Sequence, residues 1–221
     1  MPRHSRIVIP NIPHHVTQRG NYRQNIFKSD SDYEKYSLWF NEYAAKYKLR
    51  VLAYCLMSNH VHFIVVPDKE ETLARVFNTT HMRYAQYVNK KIKATGHLWQ
   101  GRFFSCVLDD KHLYGAIRYV ENNPVRVKAV KKAWLYKWSS AGLHVNEGQY
   151  GPIKLSAVPD WMPVEEWKDY LAEADEDMCR EMRLKTSRGL VVGEDSFIQK
   201  LEKRIGRSLR CLNPGRPIKK R

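Results

Sequence analysis

The chain has 221 residues, 43% of them hydrophobic and 12% aromatic, which is enough apolar surface for one well-packed domain plus an appendage and excludes a disordered chain. Its 38 Lys and Arg against 23 Asp and Glu leave a formal charge of +15, a surplus whose first explanation is a polyanionic partner such as nucleic acid. No run approaches the roughly 18 apolar residues of a membrane span, the start MPRHSRIVIP lacks the apolar stretch of a secretion signal, and Cys55, Cys106, Cys179 and Cys211 form no CxxC pair, so the reading is a cytoplasmic protein with reduced thiols and no membrane partner.

In chain order, IPHHVTQRGN alternates like a strand and stops at Gly20. SDSDYEKYSLWFNEYAAKYKLR follows with a Ser/Asp cap and apolar or aromatic residues at helical spacing, which predicts a helix. VLAYCLMS and HVHFIVV are β-rich runs separated by a short polar break at Ser58 and Asn59, so they predict adjacent antiparallel strands. From Glu70 to about Ile92, Leu73, Val76, Phe77, Tyr84 and Val88 fall near one face of an amphipathic helix, and Gly96 marks a loop. RFFSCVL predicts a fourth strand, and DDKHLYGAIRYVENN a capped helix that Pro124 ends or bends, because proline lacks the donor the next turn needs.

This order suits an α+β fold, a ferredoxin-like four-stranded antiparallel sheet with helices on one face, plus a helical, basic C-terminal extension. Residues 1–147 form the expected main domain, 148–199 a helical extension, and 200–221 a basic, flexible tail suited to phosphates.

Residues i and i+2 of a strand face the same side, so His60 and His62 project together as two legs of a metal site. The spacing alone also fits two hydrogen-bonded strand histidines, and it leaves open whether Nε2 or Nδ1 would bind. Tyr119 and Asn123 stand one helical turn apart, roughly 5–6 Å, so both can face one neighbour. The Asn carbonyl would complete a two-nitrogen, one-oxygen site, with the Tyr hydroxyl beside the ion. Taken singly, Tyr119 also fits an ordinary amphipathic position and Asn123 a helix C-terminus.

MSNHVHFIV, YVENNPVR and the LWQGRF between them resemble the single-tyrosine HUH transposases, and among these the REP-associated tyrosine transposases, over roughly residues 4 to 145. GEDSFIQKLEKRIGRSLR and NPGRP also resemble the C-terminal extension of some members. The resemblance implies that His60 and His62 bind a divalent ion, Mg²⁺ or Mn²⁺, that Asn123 supplies a third ligand where insertion-sequence relatives usually carry Gln, and that Tyr119 is the catalytic nucleophile. It implies a 5′-phosphotyrosine intermediate and a free 3′-hydroxyl, formed and resealed at hairpin-forming single-stranded DNA. A monomer is favoured over a homodimer, because the extension is placed to cover the surface through which relatives pair.

For DNA binding, Arg19, Arg23, Arg83, Lys90, Lys91, Arg102 and Arg126 are candidates for phosphate contacts, and Tyr22, Trp99 and Phe103 for stacking on unpaired bases. Gln100 and Arg102 flank a glycine that allows close backbone approach to a strand. Two other readings remain at this level. A regulatory binder of structured nucleic acid would keep the charge and lose the cleavage, and a two-histidine phosphoesterase would need a second histidine motif that the chain lacks.

Overall fold

Only Ser58 and Asn59 separate β2 (Arg50–Met57) from β3 (His60–Val66), a connection so short that the strands must form an antiparallel hairpin. The computed structural model describes residues 6–147, 151–158, 162–173, 175–206 and 208–209. Within them, β1 (His14–Arg19) pairs with both β3 and β4 (Phe104–Leu108), also antiparallel. A fifth strand, β5 (Val191–Val192), joins β4 in parallel, and the order across the sheet is β2-β3-β1-β4-β5.

The α+β class therefore holds, but the sheet is five-stranded and mixed where four antiparallel strands were expected. β5 lies in the C-terminal extension, just after Gly189 ends the preceding helix in the left-handed conformation at φ 65°. Two apolar residues carry no readable period, so nothing local marks them as a strand.

Side-chain alternation divides the sheet into two buried faces. Val61, Phe63 and Val65 of β3 pack under α1 (Asp30–Lys46) and α2 (Thr72–Lys91), where Phe63 stacks on Phe40 at 4.4 Å. Ile64 and Val66 turn to the opposite face, toward α3 (Asp110–Glu121), α6 (Val164–Ala172) and α7 (Glu176–Arg188). The expectation of helices on one face is thus corrected to helices on both. The physical reason is visible in β3, every residue of which is buried, as a strand covered on two sides requires.

Three polar anchors set the helices. Ser29 and Asp32 form a capping box at the start of α1, and Asp32 also takes Lys91 from the end of α2 at 2.6 Å. Asp109 caps α3 and accepts a second hydrogen bond from Glu194 N at 2.8 Å, tying that helix to the segment after β5. At the other end of α3, the fully buried Glu121 accepts from Ser140 Oγ, His144 Nδ1 and Trp167 Nε1 at 2.5, 2.6 and 3.1 Å. Ser140 and His144 cap and end the short α5 (Ala141–His144) and Trp167 sits in α6, so one carboxylate locks two elements onto the helix that carries Tyr119.

The extension is packed into this sheet and its helices. The expected 199/200 boundary falls inside α8 (Asp195–Ile205), whose Ile198 and Leu201 pack with Val107 of β4. The basic stretch at 210–221, with Cys211, lies outside the described residues. Among the described residues, no helix is long and apolar enough to cross a membrane.

His14 and His81 are core histidines. Burial pushes His14 down to about 4 and His81 to about 3 from an ordinary 6.5, so both are neutral in the fold. His14 Nδ1 donates to Ile12 O at 2.7 Å, and His81 Nε2 meets Tyr36 Oη at 3.0 Å. Below 6.5 the unfolded chain binds these protons and the folded chain does not, so stability present at neutral pH is lost as pH falls toward the folded values. Melting temperature is expected to drop steadily on acidification, with each histidine removing up to about 1.4 kcal/mol per pH unit. Denaturant titrations from neutral to acid pH check this, and His81→Gln should flatten the slope by one proton.

Candidate active site

His60 and His62 sit on the face of β3 covered by α3 and α7, with their rings edge to face at 4.8 Å. His60 Nδ1 lies 2.5 Å from Asn59 Oδ1. A carboxamide oxygen only accepts, so Nδ1 carries the proton and Nε2 keeps its lone pair. His62 Nδ1 lies 2.8 Å from His15 Nε2, and His15 Nδ1 lies 2.8 Å from Thr186 Oγ1 of α7. Either ring of that pair can donate, so what the contact fixes is that His62 Nδ1 is taken by His15 and Nε2 is the nitrogen left over. The choice between ring nitrogens that the sequence left open is decided by what the other nitrogen touches.

Tyr119 reaches the same place from α3. Its ring stands perpendicular to His62 at 5.8 Å and to His15 at 5.6 Å. The Arg126 guanidinium lies over the phenol ring at 4.4 Å, and its Nη2 donates to Tyr119 O at 2.8 Å. Burial raises the phenol above its ordinary 10, while the Arg126 and Arg183 guanidiniums act in the opposite direction. Two cations thus offset part of the cost of ionising a buried phenol.

Tyr119 and Asn123 do not share one continuous helix. α3 stops at Glu121, and Asn123 opens the short α4 (Asn123–Arg126) with Pro124 in its first turn. Proline has no N–H for the Val120 carbonyl. Asn123 Nδ2 fills that gap, donating to Val120 O at 3.2 Å and to Tyr119 O at 3.1 Å. Its Oδ1 makes no hydrogen bond to a described residue, and no hydrogen bond joins Asn123 to either histidine.

His15, His62 and Tyr119 line an open cleft of about 250 Å³ together with Arg19, Arg23, Gln100 and Arg183. Among the described residues, none of Arg19, Arg23, Arg126 and Arg183 pairs with a carboxylate, in contrast to Arg83, Arg118 and Arg180. The histidines remain neutral in this field. His60 is held at about 3 by burial first and then by Arg19 and Arg126, and His15 at about 3 by burial and Arg126.

The other candidates divide. Tyr22 is 93% exposed and adopts φ 51°, so its ring stands free beside Arg23. Gln100 N bonds Arg19 O at 2.9 Å, which joins the Trp99–Gln100 segment to the end of β1, and Arg102 is exposed just beyond it. Trp99 does not present a stacking face. It is 7% exposed, packs on His81 at 4.3 Å and donates from Nε1 to His81 O at 2.9 Å. Phe103 is likewise buried, with the Arg6 guanidinium over its ring at 3.7 Å. Arg83, Lys90 and Lys91 belong to α2, on the opposite face of the sheet from the histidine pair, where Arg83 pairs with Glu42 and Lys91 with Asp32.

Three residues of the site were not singled out in the sequence. His15 sits two positions from Thr17, the cross-strand partner of His62, so only the β1–β3 register reveals it. Thr186 and Arg183 come from the extension, more than 60 positions beyond Tyr119, and carry no motif.

Comparison with known proteins bears on this arrangement. Residues 8–123 match the family described as IS200-like transposases, a span that holds just over half of the chain and all of His60, His62, Tyr119 and Asn123. No curated protein matches the sequence. Among solved structures, the fold is similar to a REP-associated tyrosine transposase bound to a REP hairpin, with TM-score 0.57 and 18% identity over 73% of this chain and 95% of that one. Weaker likenesses are to a candidate transposase from Deinococcus radiodurans, at TM-score 0.39 and 14% identity over 55% and 97% of the two chains. A third is to tRNA(His) guanylyltransferase from Saccharomyces cerevisiae, at 0.39 and 11% over 85% and 82%. With more than half its length in the family match, the chain belongs to the IS200-like transposases.

Proposed function

We propose that the protein is a metal-dependent single-strand DNA transposase of the REP-associated kind, which cuts and rejoins cytoplasmic DNA at hairpin-forming repeats through a 5′-phosphotyrosine on Tyr119. The observation that carries this reading is the Tyr119 ring set against His62 in a cleft whose arginines have no carboxylate partner among the described residues. A partly buried guanidinium without a counter-ion favours an anion, and a DNA phosphate at Tyr119 is the anion the family supplies. The REP hairpin held by the structurally similar transposase supports a hairpin as the partner.

The donor set fits a divalent ion. Nε2 of His60, Nε2 of His62 and Oδ1 of Asn123 would hold Mg²⁺ or Mn²⁺, which when bound polarises the phosphoryl group and stabilises the anionic transition state. The chain's own groups do the rest. Tyr119 Oη forms a bond to phosphorus as the P–O3′ bond breaks, the phenolic proton departs, and the freed 3′-oxygen leaves as a hydroxyl. Arg126 and Arg183 favour the ionised phenol that attacks. A second DNA 3′-hydroxyl attacking the phosphotyrosine reverses these bond changes, so no outside energy source is required. Arg19, Arg23, Gln100, Arg102 and Tyr22 are assigned to the incoming strand. Because Tyr119 meets the histidines of its own chain, the reading includes a monomer.

Wild type and Tyr119→Phe should be incubated with end-labelled hairpins from repeats beside the protein's own gene, with Mg²⁺, Mn²⁺ or chelator. A covalent protein–DNA band is expected only for wild type with metal. Tight hairpin binding with no such band in either metal would instead establish a regulatory binder. The raised phenol predicts band formation accelerating from pH 7 through 9.

Arg126→Gln should slow covalent attachment roughly 10²-fold and lower the salt dependence of binding by roughly 0.7 in log–log slope, the loss of one phosphate contact. Stopped-time gels and binding titrations at several salt concentrations read the two effects. His15→Ala removes the partner of His62 Nδ1 and should weaken Mn²⁺ binding by roughly 10–100-fold, measured by electron paramagnetic resonance without DNA.

A further inference from the structure

Tyr119 is a wall shared by two cavities. Beside the cleft lined by His15 and His62 lies a larger one, of about 430 Å³, bounded by α3, α4 and the facing ends of α6 and α7. Tyr119 and Arg183 line both. Nothing in the cut-and-rejoin chemistry accounts for the second space. Its size falls within the roughly 300–1,000 Å³ of sites that enclose small organic groups.

Its lining is segregated. Val125, Leu171 and Met178 give it an apolar interior. Arg118 also faces it, but that charge is matched by Asp175 at 2.5 Å and Glu173 at 3.3 Å. Arg126 and Arg183, next to the phenol, have no carboxylate partner among the described residues. Glu176 and the Asp177-paired Arg180 also border it, so charge of both signs lies along α7, while the apolar interior with Arg126 and Arg183 on the nucleophile's side suits a group with a flat, weakly solvated body and an anionic attachment.

We propose that this cavity receives the unpaired base of a nucleotide flanking the bond that Tyr119 cuts, with the adjoining phosphate at Arg126 and Arg183. The proposal rests on the reading of Tyr119 as nucleophile and adds to it a base-binding site. An unpaired base at the foot of a hairpin enters at little cost, because no pairing has to be broken. Once seated, it fixes the backbone on one side of the phosphate, which aligns phosphorus with the phenol. The cavity thereby selects where along the single strand the cut falls.

The test uses Tyr119→Phe protein, which needs no cleavage, and hairpins carrying 2-aminopurine at each single-stranded position in turn. One position, adjacent to the bond that wild type cuts, should change fluorescence on binding, and an abasic site there should weaken binding roughly tenfold. Ala172 is exposed at the mouth of the cavity, so Ala172→Trp obstructs it without disturbing the core, whereas Ala172→Ser leaves it open. Added to Tyr119→Phe, Ala172→Trp should abolish the position-specific signal and Ala172→Ser should keep it. Equal signals along the strand, or a signal that survives Ala172→Trp in a protein with unchanged circular dichroism, would overturn the proposal and leave the space as a packing void. If wild type forms no covalent band, the nucleophile reading falls, while the fluorescence series still decides whether a base enters the cavity.

Discussion

The hydrogen bond between His62 Nδ1 and His15 Nε2, 2.8 Å long in the middle of the sheet, is the contact on which the site depends. An imidazole buried among strands has two nitrogens to satisfy, and whichever is engaged determines what the other can do. His15 engages Nδ1 and is itself held by Thr186, so a residue of α7 sets the chemistry of a residue on β3. His60 reaches the same state by a local route through Asn59. Both imidazoles therefore have Nδ1 engaged and Nε2 left over, His60 through its sequence neighbour and His62 through His15 and Thr186, which lie toward the two ends of the chain.

Charge is arranged around this pair in one direction. Burial already disfavours protonated imidazoles, and Arg19 and Arg126 add to the effect, so the histidines stay neutral near a phenol that is costly to ionise. The same arginines lack carboxylate partners among the described residues, whereas Arg118 of α3 and Arg83 on the opposite face of the sheet have them. Partly buried cations without a carboxylate partner beside a cleft mark where an anion belongs. The overall +15 charge is consistent with this but does not locate it.

The second sheet face makes these contacts possible. If helices covered only the α1–α2 side, His60 and His62 would lie on an open surface and His15 would lose its Thr186 partner. α3 brings Tyr119 to that face, Glu121 pins the helix to α5 and α6, and α7 closes the site with Arg183 and Thr186. The extension is thus structural and chemical at once: β5 lengthens the sheet while α7 completes the cleft. The helix break at Asn122 belongs to the same arrangement, since it frees the carbonyls that Asn123 and Arg126 then take.

Local pattern was enough to place β1 to β4 and α1 to α3 in order, because hydrophobic period, caps and Pro124 are written into contiguous residues. It also brought out His60, His62, Tyr119 and Asn123, through strand alternation and helical spacing together with a family resemblance. Tertiary structure alone decided the rest. β5 is too short to carry a period, Trp99 reads as exposed or buried only once α2 is packed against it, and His15 becomes a partner of His62 only through strand register. A side chain's type is local, but its hydrogen-bond partner, its field and its solvent are supplied by residues remote in sequence, and these set what the tyrosine and histidines can do.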